Sequence, residues 1–143
     1  MAREKPIPRS KRKDFNRGLK RSRNDDEVKN FSIGLMDIDA TIMYYFNNVI
    51  KPKKIIKIKA NLQPRTEKNI IQSFHTDFPP EWNHKTGIFY VNTCNGYTLF
   101  SDGTKVESIE NRFVEFDGSI EHTGVTCTDQ PSRFVINFNW FES

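Results

Sequence analysis

Two histidines, one aspartate and one arginine offer this chain its metal chemistry: His75 and Asp77 in the run Phe74-His75-Thr76-Asp77, then His122, then Arg133. On an extended strand, residues two apart point to the same face, so His75 and Asp77 can reach one ion while His122 arrives from a neighbouring strand. Two imidazoles and one carboxylate on one face of a metal leave three coordination positions open. Mononuclear non-haem iron uses that arrangement to take a co-substrate and O2. Arg133 lies eleven residues after His122. Its planar fork suits the far carboxylate of a dicarboxylic co-substrate, because it donates two parallel hydrogen bonds. Each residue alone has a duller explanation, since an isolated His-x-Asp recurs by chance as a surface loop or a histidine bonded to a carboxylate.

The elements around these residues are constrained by length and composition. A chain of 143 residues is expected to form one domain with a real core. Twelve phenylalanines, four tyrosines and two tryptophans in an otherwise polar sequence favour strands. No run approaches the roughly 20 apolar residues of a membrane span, and the N-terminus lacks the apolar stretch of a secretory leader. A soluble, cytoplasmic protein without a membrane partner is the expectation. Cys94 and Cys127 show no paired-thiol spacing and are expected to be free, small and buried; a disulfide or zinc ligation is the alternative.

Charge is uneven. Residues 1–23 hold ten Lys and Arg against Glu4 and Asp14, a net of +8, whereas the remainder carries a net of −4. Residues 1–29 are therefore expected to be a disordered, solvated arm, with non-specific nucleic-acid binding through phosphate contacts as the alternative. Residues 37–50 predict a helix with Ile38, Ile42, Tyr45, Phe46 and Val49 on one stripe, stopped at Pro52. In residues 53–62, Ile56 and Ile58 alternate with Lys57 and Lys59, as on a strand wetted on one face. Further strands are expected at 74–78, ended by Pro79-Pro80, and at 88–92. The pair 97–100 and 105–109 flanks the hairpin signal Asp102-Gly103, and 112–116 is turned by Asp117-Gly118. The last strand, 133–141, puts Arg133, Val135, Asn137 and Asn139 on one face and Phe134, Ile136, Phe138 and Trp140 on the other. Short strands at this spacing predict a sandwich or barrel. His84, in a polar loop, reads as a solvated side chain, and Asn139 as a structural amide.

The motifs Phe74-His75-Thr76-Asp77, Phe89-Tyr90-Val91-Asn92, Asn95-Gly96-Tyr97, Arg112-Phe113-Val114-Glu115-Phe116, His122 and Arg133-Phe134-Val135-Ile136-Asn137-Phe138 come in a telling order. In that order the chain resembles 2-oxoglutarate and Fe(II)-dependent oxygenases, within them the prolyl 4-hydroxylase-like branch and its small bacteriophage versions. The resemblance covers about residues 54–141. It implies a mainly β domain, a double-stranded β-helix (a cupin-like jelly roll) over residues 53–143. It also implies Fe(II) held by His75, Asp77 and His122, 2-oxoglutarate and O2 as co-substrates, and ascorbate as a stimulant. Arg133 would pair with the distal carboxylate, helped by the Tyr90 hydroxyl and by Asn137; Tyr90 read on its own is equally a core residue. The implied activity is hydroxylation of a C–H bond of a peptide or protein side chain, proline by default, with release of succinate and CO2. A phage-encoded protein would work in the cytoplasm of its bacterial host. Relatives often carry Gly-Gly where this chain has Asn95-Gly96-Tyr97, a departure on the substrate side.

Two other classes compete. A nucleic-acid-directed oxygenase fits the basic arm, but repair-type relatives carry a second arginine six residues after the clamp, where this chain has Asn139. A non-catalytic phage structural or binding jelly roll has no use for two histidines, a carboxylate and an arginine in this order. Residues 30–52 faintly resemble the start of a tailed-phage virion protein, so a fusion or truncation is an alternative account of that helical segment. Specificity is expected from loops 79–85 and 95–103.

Overall fold

The computed structural model describes residues 2–4 and 42–142. The chain forms two compact units, one of Met1–Pro6 with Lys53–Ser143 and one of Ile7–Pro52. In the first unit the described strands are β1 (Ala2–Glu4), β2 (Lys54–Pro64), β3 (Lys85–Tyr90), β4 (Tyr97–Phe100), β5 (Lys105–Glu107), β6 (Phe113–Asp117), β7 (His122–Val125) and β8 (Ser132–Phe141). They pair antiparallel in two sheets, β1-β6-β3-β8-β2 and β5-β4-β7, the jelly roll expected from the sequence.

Alternation along the strands decides where the core sits. Ile88 and Tyr90 of β3, Val114 and Phe116 of β6 and Val135 of β8 meet Phe100 and Val106 of the smaller sheet, all buried. The opposite face of the larger sheet carries Phe89, Phe113, Phe138 and Trp140, which are also buried. Phe113 meets Phe138 edge to face at 5.8 Å between ring centroids. Strands buried on both faces explain why aromatics are so numerous in a chain that is polar elsewhere; each such ring contributes about 1.5–3 kcal/mol when fully buried. The β4–β5 hairpin turns as its Asp102-Gly103 predicts, with the Asp102 carboxylate accepting the Thr104 N–H at 2.9 Å.

Several expectations are corrected. Residues 74–78 are not a strand: their one ladder contact is an isolated bridge at His75, with another at Ile71 just before the segment. β3 begins at Lys85 rather than 88. Lys57 and Lys59 are exposed, as on a wetted face, but that face borders the cavity between the sheets rather than an outer surface, and Ile58 and Leu62 are exposed as well. Within the span expected to be an arm, Ala2–Glu4 forms an edge strand on β6; the rest of residues 1–29 lies outside the described residues, as do residues 30–41 of the predicted helical segment.

In the second unit residues 42–50 are helical, with Ile42, Tyr45 and Phe46 buried as expected. Val49 is exposed instead. Its stretch, Phe46–Ile50, is a π-helix closed by the Lys51 N–H on the Phe46 carbonyl at 2.9 Å; the wider turn carries Val49 off the 3.6-residue stripe. Lys51 then adopts a left-handed conformation, φ 54°, ahead of Pro52. No helix among the described residues is long and apolar enough to cross a membrane.

Gly87 tests the packing of the larger sheet. A Cβ there would stand 2.4 Å from Phe113 Cζ and 3.0 Å from Trp140 Cζ3. Gly87→Ala is expected to cost about 1–3 kcal/mol through overpacking, read as a lower urea midpoint with an unchanged slope.

Candidate metal centre

His75 and His122 face one another across a two-residue ladder. Each N–H donates to the other's carbonyl at 3.0 Å, and such directly opposed residues send their side chains to the same side. Their rings lie 4.8 Å apart. Asp77, two residues on, brings Oδ1 to 3.4 Å from His75 Nε2 and 3.6 Å from His122 Nε2. The three donor atoms all fall within 4.8 Å of one another. Metal bonds of about 2.1 Å set adjacent donors about 3 Å apart, so this set is slightly wider than a closed one. After Asp77, Pro79 and the short 3-10 turn Pro80–Trp82 lead the chain away.

The imidazoles are turned for coordination. His75 Nδ1 lies 3.0 Å from the Ser73 carbonyl oxygen and His122 Nδ1 lies 3.2 Å from that of Ile120. A carbonyl only accepts, so each Nδ1 carries a proton there, and a ring whose Nε2 proton is displaced by a metal offers that lone pair to the centre. His122 is buried, held edge-on to Phe116 at 4.9 Å with Phe100 at 6.3 Å. The His75 side chain is half exposed.

Asp77 is held by a residue that sequence reading took for a structural amide. Asn139 Nδ2 donates to Asp77 Oδ2 at 2.9 Å and to Thr86 Oγ1 at 3.1 Å, leaving Oδ1 for the histidine side. Burial alone would raise the carboxyl's pKa. Hydrogen bonds from His122 and Asn139 and the charges of His122 and His75 outweigh it and hold the value at about 2.

Arg133 presents a different problem. Its guanidinium is buried, and its partners are all neutral: Nε to Ser108 Oγ at 3.0 Å, Nη1 to Gln63 Oε1 at 3.2 Å and Nη2 to Thr98 Oγ1 at 3.1 Å. Burial pushes its pKa down, yet arginine stays charged in proteins. Among the described residues no carboxylate pairs with it. A buried cation solvated only by dipoles is an electrostatic vacancy for an anion. Gly96 makes room for it, since a Cβ there would stand 2.7 Å from Arg133 Cδ and 2.6 Å from the Val125 carbonyl oxygen.

One cavity of about 420 Å³ joins these groups, lined among others by His75, Asp77, His122, Arg133 and Asn137. Asn137 Oδ1 is buried there without a hydrogen-bond partner. Tyr90 is fully buried and does not line the cavity. Its hydroxyl shares a 2.7 Å hydrogen bond with Thr98 Oγ1, and its ring lies 5.8 Å from the guanidinium carbon. Of the expected loops, only Thr98 in 95–103 contributes to the lining, and none of 79–85 does.

Sequence reading missed Gln63, Thr98, Ser108 and the carboxylate-holding role of Asn139. Only Asn139 carried a signal, its period-two alignment with Arg133. His84 is a further correction: it is 2% exposed rather than solvated. Its ring sits against Gly118, where a Cβ would meet Nε2 at 2.2 Å, and edge-on to Phe78 at 5.7 Å. Neither ring nitrogen has a hydrogen-bond partner, and burial lowers its pKa. Cys94 and Cys127 are free and buried, as expected.

No protein-family model and no curated protein matches this chain. Solved structures do. The non-heme alpha ketoglutarate dependent epimerase SnoN from nogalamycin biosynthesis aligns with TM-score 0.62 at 10% identity, over 99% of this chain and 77% of that one. A Trichoplax adhaerens prolyl hydroxylase, solved with a hypoxia inducible factor peptide fragment, aligns with TM-score 0.56 at 11% identity, over 99% and 83%. The non-heme monooxygenase ThoJ, in a nickel complex, aligns with TM-score 0.55 at 9% identity over 74% of this chain, which spans about half of that protein, 54%. At such identities the superpositions show a shared jelly-roll fold alone.

Two outcomes are expected. Asp77 is ionised in the fold at about pH 2 and above, against 3.8 as its ordinary value. A depressed folded pKa adds stability above the unfolded pKa, lost as pH falls through the folded one. The stability advantage of the wild type over Asp77→Asn in urea melts should therefore shrink by about 2 kcal/mol between about pH 4 and pH 2. Asn139→Ala should weaken divalent-metal binding about 10- to 100-fold, measured by calorimetric titration.

Proposed function

We propose that this chain is an Fe(II)- and 2-oxoglutarate-dependent oxygenase that hydroxylates a C–H bond, on a peptidyl side chain such as proline, with release of succinate and CO2. The observation that carries this reading is the convergence in one cavity of a His-Asp-His donor set and a buried guanidinium without a carboxylate partner. The donors suit Fe(II): two free Nε2 lone pairs and one ionised carboxylate on one side, with the cavity on the other. Bound iron supplies O2 activation, coupled to oxidative decarboxylation of 2-oxoglutarate, which converts C–H to C–OH.

The chain's own residues supply position and charge. His75 and His122 fix the ion between a half-exposed lip and a buried aromatic wall, and Asp77 lowers the net charge there. Arg133 receives the distal carboxylate of 2-oxoglutarate through its fork, oriented by Gln63, Thr98 and Ser108. The Asn137 amide offers a second polar contact, and Tyr90 supports the clamp through Thr98. The resemblance to prolyl 4-hydroxylase-like enzymes supports the peptide assignment, and the free thiols suit a reducing cytoplasm.

Anaerobic addition of Fe(II) and then 2-oxoglutarate to the full chain should produce the weak visible charge-transfer band of the chelate. His75→Ala should abolish it. Arg133→Ala should weaken 2-oxoglutarate binding at least tenfold, in line with loss of a desolvated charge pair. Folded wild-type protein that gives no band would overturn the reading.

A further inference from the structure

The cavity's substrate side carries charge that the iron and 2-oxoglutarate reading leaves unused. Among the described residues β2 is the last strand of its sheet, and its register on β8 sets Gln63 beside Arg133, Asn61 beside Val135, Lys59 beside Asn137 and Lys57 beside Asn139. Gln63 is thus consumed by the clamp. Lys59 and Lys57 stand further along, at the end where Asn139 holds Asp77. Both line the cavity and both are exposed. Among the described residues neither ammonium pairs with a carboxylate, and the sole acid in the cavity lining is Asp77, already engaged by His75, His122 and Asn139.

Resting on the function proposed above, we infer that the substrate is an acidic peptide whose carboxylates seat on Lys57 and Lys59 beside the metal centre. Two cations at alternate positions of one strand lie about 6.5–7 Å apart. An extended peptide alongside β2 presents alternate side chains at the same interval, and an edge strand leaves backbone groups free to pair with it. Asn61 and Gln72 add neutral amides to the same lining. Single-stranded nucleic acid would share the cations but also needs flat aromatic surfaces for its bases. Phe78, the cavity's one Phe, Tyr or Trp, is already stacked on Trp82 at 5.3 Å. Lysines on an edge strand also guard against sheet-to-sheet pairing, a role in which their sign is immaterial.

Charge reversal separates these roles. Labelled heptapeptides with a central proline, flanked at alternate positions by Asp, Asn or Lys, would be titrated by fluorescence anisotropy into the full chain with Fe(II) and 2-oxoglutarate, without O2. The Asp peptide should bind wild type at least tenfold tighter than the Asn peptide, and less so as salt is raised. Lys57→Gln with Lys59→Gln should erase that preference, and Lys57→Glu with Lys59→Glu should reverse it toward the Lys peptide. A preference absent from wild type, or unchanged in the reversed variant, overturns the inference and leaves the lysines as edge guards. Tighter binding of an oligothymidylate of equal charge overturns the choice of peptide. The chelate band of wild type, read in the same sample, distinguishes the two proposals: a band without Asp preference sinks only this one, and Asp preference without a band sinks the iron reading and leaves Lys57 and Lys59 a site for acidic peptides that are not its substrates.

Discussion

Strand β8 is hydrogen-bonded on both sides, to β2 and β3, and is buried on both faces along most of its length. A strand in that position has only its period of two with which to separate tasks. Phe138 and Trp140 fill the aromatic face, while Arg133, Val135, Asn137 and Asn139 look into the cavity. A slip of one residue would put a guanidinium among the aromatics and rings in the cavity. Pairing on both edges makes such a slip costly, because every neighbouring ladder would have to move with it. The buried Arg133, the residue that holds Asp77 and part of the core thus depend on one register.

Electrostatics divides the cavity in two. At the Asp77 end a desolvated carboxylate is answered by two imidazoles and an amide, which hold its pKa at about 2. At the Arg133 end a desolvated cation is answered only by hydroxyls and an amide oxygen. Neutral dipoles orient a guanidinium without cancelling its charge, so that end keeps a net attraction for an anion. The two ends carry opposite charge without being paired with each other.

The structural neighbours align at 9–11% identity, and no sequence family matches. That combination is what a jelly roll permits. The fold asks for alternation, turn residues and two packed faces, and many sequences meet those demands. Individual positions are tighter: at Gly96 only hydrogen fits beside the Arg133 stem.

Much of this was legible in the chain alone. The alternating run at 133–141, the Asp-Gly hairpin and the aromatic excess pointed to strands through mostly local signals, and His75, Asp77 and His122, read together as donors, do fall within 4.8 Å of one another. The non-local parts were not legible. Residues 74–78 read as a strand but hold a single isolated bridge; His84 read as solvated but is sealed against Gly118; Lys57 and Lys59 read as a wetted face, and nothing local showed that this face borders the cavity. Thr98, Ser108 and Gln63 meet Arg133 from strands and loops 25 to 70 residues away. By itself the sequence determined which residue types were available and how they alternate. Tertiary structure decided which face of β2 turns inward and which neutral groups surround the buried cation, because burial and partnership arise only when distant segments pack together.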